Sequence, residues 1–274
     1  MNIDKTNPLL LHPLNPWIEK KKWSWFEHQI ETFKAVKKGF DVVVFAPTGA
    51  GKTLTGFINP IEDLLTSKKF KGLHTIYISP LKSLANDIVR NLEKPIKDLD
   101  LKITFEVRSG DTTAYKKQKQ KRRPPNIIIT TPESLALLNS YEDAKIFFQN
   151  LKFIIIDEIH TFLDNKRADL LSLNIERLQT YSPHLQRIGL SATLKNKQDA
   201  KKWLCRKKSK IISFEHSTLP KIKILKSKER IPWSGHMATY AINEIYKEIT
   251  NSKLSIIFVN TRAQAEYMFK NLWL

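Results

Sequence analysis

Cysteine is nearly absent from the sequence: Cys205 is alone among 274 residues. A single thiol excludes an internal disulfide and a multi-cysteine zinc site, and it suits a reducing compartment. Long apolar runs are missing as well. The longest stretches, such as 42–46 and 153–156, fall far short of the roughly 20 residues that cross a bilayer. The start, Met1-Asn-Ile-Asp-Lys5, lacks the layout of a secretory signal. The expectation is a soluble, cytoplasmic chain. Acidic residues are under-represented, 27 against 46 basic ones, for a formal charge of +19. The deficit favours a polyanionic partner. Most of the basic residues are lysines, however, and AT-rich codon usage also coats solvated faces with lysine. Charge supports a nucleic-acid partner without establishing one. Apolar content of 41% is enough for a folded core, and the length fits about two domains.

Glycine is scarce, 8 in the whole chain, yet two lie within one turn. They are Gly49 and Gly51 of Ala46-Pro-Thr48-Gly-Ala50-Gly-Lys52-Thr53. A run of β-formers, 41–46, precedes this turn, and a helix-like segment, 54–67, follows. Strand, glycine turn, Lys-Thr and helix is the arrangement that cradles a nucleoside triphosphate. The glycines let successive N–H groups point at phosphate oxygens, and the helix adds its positive end. Lys52 is placed to reach the β- and γ-phosphates and Thr53 to ligate Mg²⁺. The pattern opens with Ala46 where the strict form has Gly. A plain strand–turn–helix connection is the competing explanation, and Lys-Thr directly after Gly argues against it.

Residues 1–22 carry Pro and Lys without clear periodicity, which suggests an extended lead-in. A helix is expected from Trp23 to about Lys38, stopped by Gly39. Phe26 and Gln29 in it could clamp adenine, the ring by stacking and the amide by offering a donor and an acceptor. In isolation, core aromatics and a surface Gln29 explain these residues better. Beyond the phosphate loop, strand-like and helix-like segments alternate. Strands are expected at 73–79, 101–107, 126–130, 151–157, 186–191 and 210–214, and helices at 81–99, 113–123, from Pro132 with Thr131 as cap, 166–180 and 196–204. Such a βαβ rhythm gives a mostly parallel sheet with helices on both faces and ligands at the carboxyl ends of the strands. From about His216 a second unit starts, with strand-like 221–225, helix 238–250, strand 254–260 and a helix from Thr261 that is still running at Leu274.

At the end of one strand stands Asp157-Glu158-Ile-His160. The Asp can hold Mg²⁺ opposite Thr53, and the Glu can polarise a water, which is what phosphoryl transfer asks of a protein. An acidic loop capping a helix is the bland explanation. Its position about a hundred residues after a phosphate loop makes an ATPase the better one. His160 alone would more often be structural. Ser191-Ala-Thr193 ends another strand, where two hydroxyls could sense the acidic loop, although such residues are ordinary after strands.

Together these segments resemble superfamily 2 DEXH-box helicases, of the Lhr type and closest to ligase-associated DNA helicases. The phosphate loop, Asp157–His160 and Ser191–Thr193 match motifs I, II and III. Ser79-Pro-Leu-Lys-Ser-Leu-Ala85 is similar to motif Ia, Thr131-Pro-Glu-Ser134 to motif Ib, and Phe26 with Gln29 to the Q motif. His74-Thr-Ile-Tyr-Ile-Ser-Pro-Leu-Lys82, Arg108-Ser-Gly-Asp-Thr112, 124–135, Lys166-Arg167 and 189–194 carry the Lhr likeness. The resemblance implies an α/β fold: a RecA-like P-loop NTPase domain with a mostly parallel sheet over 23–216, and the start of a second RecA-like domain over 217–274. It implies ATP and Mg²⁺ as cofactors and Lys52, Asp157, Glu158 and His160 as catalytic residues. Phe26, Gln29, Thr48, Gly49, Ala50, Gly51, Lys52 and Thr53 would bind nucleotide, and Ser191 and Thr193 would couple the sites. Pro80, Lys82, Arg108, Gly110, Thr131 and Ser134 would line a nucleic-acid path. Motif IV is similar to Ile257-Phe-Val-Asn-Thr-Arg262. Motifs V and VI, with their arginine fingers, would lie past Leu274, so poor hydrolysis by this stretch alone is expected. DNA, single-stranded or partly duplex, is the implied partner, possible association with an ATP-dependent DNA ligase comes with the likeness, and a repair role follows from it. An RNA helicase with the same core and a non-catalytic nucleotide-binding fragment stay open. The run Lys116–Arg123 holds six basic residues and no acid, for which a solvated face is the simpler explanation, with no aromatics interleaved for stacking.

Overall fold

The computed structural model describes residues 7–67, 70–163, 165–192, 197–206, 208–214, 221–225, 233 and 239–273. It divides into two compact units, Met1–His216 and Ser217–Leu274. In the first, a helix α1 (Asn15–Lys20) and α2 (Glu27–Lys37) lead to β1 (Asp41–Phe45). There follow α3 (Lys52–Thr66), β2 (Thr75–Ile78), α4 (Lys82–Asp98), β3 (Phe105–Arg108), α5 (Ala114–Arg122) and β4 (Ile127–Thr130). Then come α6 (Pro132–Asn139), α7 (Ala144–Phe148), β5 (Phe153–Ile156), α8 (Lys166–Tyr181), β6 (Gln186–Ser191), α9 (Lys197–Leu204) and β7 (Ser209–Ser213).

All seven strands form one parallel sheet in the order β3-β4-β2-β5-β6-β1-β7. Strands such as Ile127-Ile-Ile and Phe153-Ile-Ile-Ile are buried along their whole length, because helices cover both faces. Side chains alternate between two cores. One contains Ile76, Ile78, Ile154 and Ile156 against Leu135, Leu171 and Leu178 of α6 and α8. The other contains Val42, Val44, Tyr77 and Ile155 against Phe57, Ile61 and Ile88 of α3 and α4. The α/β, RecA-like expectation for this unit holds. β1, β5 and β6 are neighbours, so the phosphate loop, Asp157 and Ser191 emerge side by side at the carboxyl edge.

Three local expectations need correction. Residues 8–20 are not an extended lead-in: a 3₁₀ turn (Pro8–Leu11) and α1 bury Leu9, Leu14, Trp17 and Ile18. His12 anchors them, with its Nε2 2.9 Å from the Ile58 carbonyl of α3. Helix α2 starts at Glu27 rather than Trp23, because 23–26 is extended and Phe26 caps the helix. The short α7 has no counterpart among the expected helices. At the opposite edge of the sheet, His74 Nε2 and Lys152 Nζ lie 2.8 and 2.7 Å from Asp63 Oδ2 and lock α3 to β2 and β5.

The second unit contains α10 (Ile242–Thr250), entered through a 3₁₀ turn (Thr239–Ala241), and α11 (Arg262–Trp273). Among its described residues no strand forms. The expected strands at 221–225 and 254–260 leave Ile222, Ile224, Leu254, Ile256 and Phe258 exposed. A β-former without neighbouring strands has nothing to pair with and does not become a strand.

Candidate functional site

Helix α3 begins at Lys52, directly after Gly51, which sits at φ +71°. The left-handed backbone demands glycine there, and a Cβ would also displace the Gln29 amide, whose Nε2 would stand 2.8 Å away. Gly49 has φ +83° and open space over it. The loop therefore bares its backbone toward a cavity of about 1010 Å³. Thr48, Gly49, Gly51, Lys52 and Thr53 line it from one side and Asp157 and Glu158 from the other, with Phe26 and Gln29 nearby. Ala50 is buried behind the loop. Trp17, Ile18 and Trp23 extend the same wall; sequence inspection missed them, since nothing local shows that α1 docks there.

Electrostatics in the cavity follow from desolvation. Lys52 is buried, and burial pushes its ammonium pKa down while Glu158 and Asp157 oppose the shift. Burial raises the Asp157 carboxyl. Asp157 Oδ1 accepts from the Glu158 N–H at 2.9 Å, which pins the carboxylate to its own loop. Glu158 takes a left-handed backbone, φ 45°, unusual for a non-glycine residue and characteristic of strained functional turns. His160 Nδ1 lies 3.0 Å from Ser191 Oγ and 3.3 Å from Glu158 Oε2, bridging the acidic loop to the end of β6. Thr193 lies outside the described residues. Thr53 and Asp157 bring a hydroxyl and a carboxylate to one cavity. Hard oxygen donors of this kind suit Mg²⁺, which takes few protein ligands and shares the rest with phosphates and water. Beneath them the Tyr77 hydroxyl is fully buried without a hydrogen-bond partner. Burial keeps this phenol protonated.

Gln29 departs from the expected free amide edge. Phe26 has no side-chain acceptor to cap α2, so the backbone N–H of Phe26 donates to Gln29 Oε1 at 3.0 Å. The amide nitrogen donates to the Gly51 carbonyl at 3.4 Å. Gln29 thus ties the start of α2 to the phosphate loop.

Next to it, His28 is buried between Phe26 and Phe214, with both ring nitrogens unpartnered. Burial holds its pKa down at about 4 against the ordinary 6.5. Below pH 6.5 the unfolded chain takes up a proton that the folded one refuses. The stability contributed by neutral His28 is therefore complete above 6.5, falls toward pH 4 and then levels off. One proton over that window amounts to about 3 kcal/mol at most. Urea titrations at pH 7 and pH 5 should show a smaller acid-side loss in His28→Leu than in the parent chain; equal losses would refute this assignment.

The candidate nucleic-acid residues gather near the carboxyl ends of β2, β3 and β4, but they differ in accessibility. Lys82 is exposed, and its ammonium pairs with both Asp111 oxygens at 2.8 and 2.9 Å. Gly110 lies against it: a Cβ there would be 3.4 Å from Lys82 Nζ. Thr131 and Ser134 are buried, and Thr131 caps α6 by accepting from the Ser134 N–H. Pro80 is buried as well, and its carbonyl accepts from Arg167 at 3.0 Å. Arg167 also pairs with Glu133 at 2.7 Å. One side chain from α8 thereby clamps the ends of β2 and β4, a role its sequence position did not reveal. Arg108 requires a correction. It is 3% exposed and donates to the Lys117 carbonyl at 3.1 Å and the Tyr141 hydroxyl at 3.0 Å, so its charge faces inward. Tyr115, opening the basic α5, is 81% exposed, so an aromatic does accompany those lysines.

The DEAD/DEAH box helicase family profile matches residues 26–201. The chain belongs to that family. ATP-dependent helicase Lhr-Core of Methanothermobacter thermautotrophicus is 40% identical over 202 residues, covering 66% of this chain and 23% of the relative. Lhr-Core of Methanocaldococcus jannaschii is 34% identical over 277 residues, covering 94% of this chain and 33% of the relative. The structure of Mycobacterium smegmatis helicase Lhr bound to ssDNA and AMP-PNP matches with a TM-score of 0.76 at 30% identity, over 95% of this chain and 35% of that one. DEAD-box helicase Mss116 bound to ssRNA and UDP-BeF, 20% identical with a TM-score of 0.70 over 87% of this chain and 50% of that one, shares the fold. This helicase-family chain thus spans about a third or less of the length of its Lhr relatives. Among its described residues, no helix is long and apolar enough to cross a membrane.

Proposed function

We propose that this chain is the ATP-binding part of a nucleic-acid translocase or helicase that acts on DNA. The observation that carries the proposal is the cavity in which the phosphate loop faces Asp157 and Glu158, with an exposed Lys82 at the start of α4, after the carboxyl end of β2. Lys52 holds the β- and γ-phosphates, and the N–H groups of the loop orient them. Thr53 and Asp157 hold Mg²⁺, which when bound neutralises phosphate charge. Glu158 orients the attacking water, and His160 with Ser191 carries the state of that loop toward the strand ends. DNA is favoured over RNA because a relative at 30% identity was solved with ssDNA, whereas the ssRNA-bound neighbour is alike in fold alone. A place in DNA repair beside a ligase rests on the motif likeness.

The second unit begins a second RecA-like domain. By the motif likeness, the arginine-bearing motifs V and VI that would complete the cleft fall in the length of the relatives that this chain does not cover, about two-thirds of Lhr-Core. Arginine fingers supply about 10³–10⁵ of the rate in related chemistry, so the 274-residue chain binds ATP and turns it over slowly. The test is binding of single-stranded DNA and RNA of one sequence, titrated against salt in the presence of an ATP analogue. Tighter DNA binding, with log affinity falling by about 0.7 per neutralised phosphate, is expected, and Lys82→Ala should remove about one such contact. Equal or stronger RNA binding would move the assignment to RNA. Salt-insensitive binding would refute backbone contact and leave a nucleotide-binding fragment.

A further inference from the structure

We propose that Tyr77 is a positioning residue for the metal–nucleotide site: its phenol reaches from the middle of β2 to Asp157 and Thr53 and orients the carboxylate toward the cation. The inference rests on assigning Thr53 and Asp157 as the Mg²⁺ ligands, and it adds a residue to which the motif likeness gives no role.

Placement comes from sheet register. Tyr77 is paired with Ile155 of β5. Side chains alternate along a strand, so Asp157, two residues further, lies on the same face. The chain is still in register there, because the Asp157 N–H donates to the Ile78 carbonyl at 2.9 Å. That face is covered by α3 at close range: a Cβ on Gly56 would stand 2.9 Å from Ile155 Cγ2. The Phe57 ring lies parallel to the Tyr77 ring, with centroids 5.0 Å apart and planes at 9°. Thr53 is one helical turn before Phe57, so the phenol sits under the first turn of the phosphate-loop helix. Its hydroxyl faces Asp157 and Thr53 and closes a hydrogen bond to neither.

Packing does not account for that hydroxyl. Phenylalanine would stack on Phe57 and fill the same space, while a buried hydroxyl without a partner costs about 1–3 kcal/mol. A donor at this point has a specific use. Glu158 N–H already holds one Asp157 oxygen, and the Tyr77 O–H, unpartnered beneath the loop, is the donor placed to close on the carboxylate when it turns toward a cation. Partners behind a metal ligand typically change metal affinity by about 10–100-fold. Tyr77 also belongs to the strand that runs directly into Ser79, Pro80 and Lys82. A displacement of that strand end is therefore felt at the carboxylate, which gives the nucleic-acid side a covalent route to the nucleotide side.

The test compares Tyr77→Phe with the parent 274-residue chain. Affinity for a fluorescent ATP analogue is titrated with Mn²⁺ and again in EDTA, bound Mn²⁺ is followed by electron paramagnetic resonance, and thermal unfolding is recorded. The variant should lose about 10-fold in Mn²⁺-dependent affinity, keep its EDTA affinity and unfold at the same or a higher temperature. Unchanged Mn²⁺ dependence in the variant would overturn the proposal. Equal losses with Mn²⁺ and in EDTA would overturn it in favour of general packing. If the parent chain itself shows no cation dependence, the assignment of Thr53 and Asp157 fails first and the role of Tyr77 falls with it.

Discussion

Lys52→Ala should weaken ATP binding by about 30-fold or more while leaving the fold intact. The side chain is buried at the start of α3, with Glu158 and Asp157 as the charges that face it. Removing one member of a buried, charge-compensated group costs about 2–5 kcal/mol in binding, and each 1.4 kcal/mol is about tenfold. The variant loses twice. The β- and γ-phosphates lose their cation, and the two carboxylates lose the charge that offsets their repulsion. Asp157, already pushed up by burial, should then rise further, and the loss of affinity should persist at both pH 6 and pH 8. Titration with a fluorescent ATP analogue at both values measures this, with thermal unfolding as the control. Affinity within about threefold of the parent would remove the phosphate loop from the proposed function, because a buried cation in true contact with phosphate cannot be deleted at so small a loss.

Much of this site could be read from the sequence because its determinants are local. Gly49, Gly51 and Lys52-Thr53 are contiguous, and their backbone chemistry allows few other structures. Thr131 before Pro132 announced the cap of α6, which the structure contains. The continuous apolar runs announced buried parallel strands. What could not be read depends on distant partners. Leu9 looks unpatterned until Phe33 and Ile58 of α2 and α3 provide a surface for it, and Leu14 joins the core that holds Val36 and Phe57. Tyr77 is one aromatic in an apolar strand, and only the register with Ile155 shows that it stands beneath Asp157. The β-rich stretches 221–225 and 254–260 satisfy every local criterion for strands and still form none, because strands need neighbours.

Arg108 shows the same limit with opposite sign, and it supports the strongest stability prediction. As an arginine in a loop similar to one that lines a nucleic-acid path, it invites a phosphate role. The structure uses it as an internal brace: its guanidinium joins β3 to α5 through the Lys117 carbonyl and to the segment after α6 through Tyr141. Burial pulls its pKa down, with Tyr141 opposing the shift. Arg108→Met keeps the stem and deletes these donors, stranding acceptors in a buried setting. The expected loss is about 3 kcal/mol, since each buried group left without its partner costs about 1–3 kcal/mol. Urea unfolding measures this. Nucleic-acid binding then separates brace from contact. Below its unfolding transition, the variant should bind single-stranded DNA with the parent's salt slope. A phosphate-contacting arginine would instead reduce that slope by about 0.7. Loss of slope with unchanged stability would mean that Arg108 turns outward to meet the backbone, and the brace would have to be abandoned.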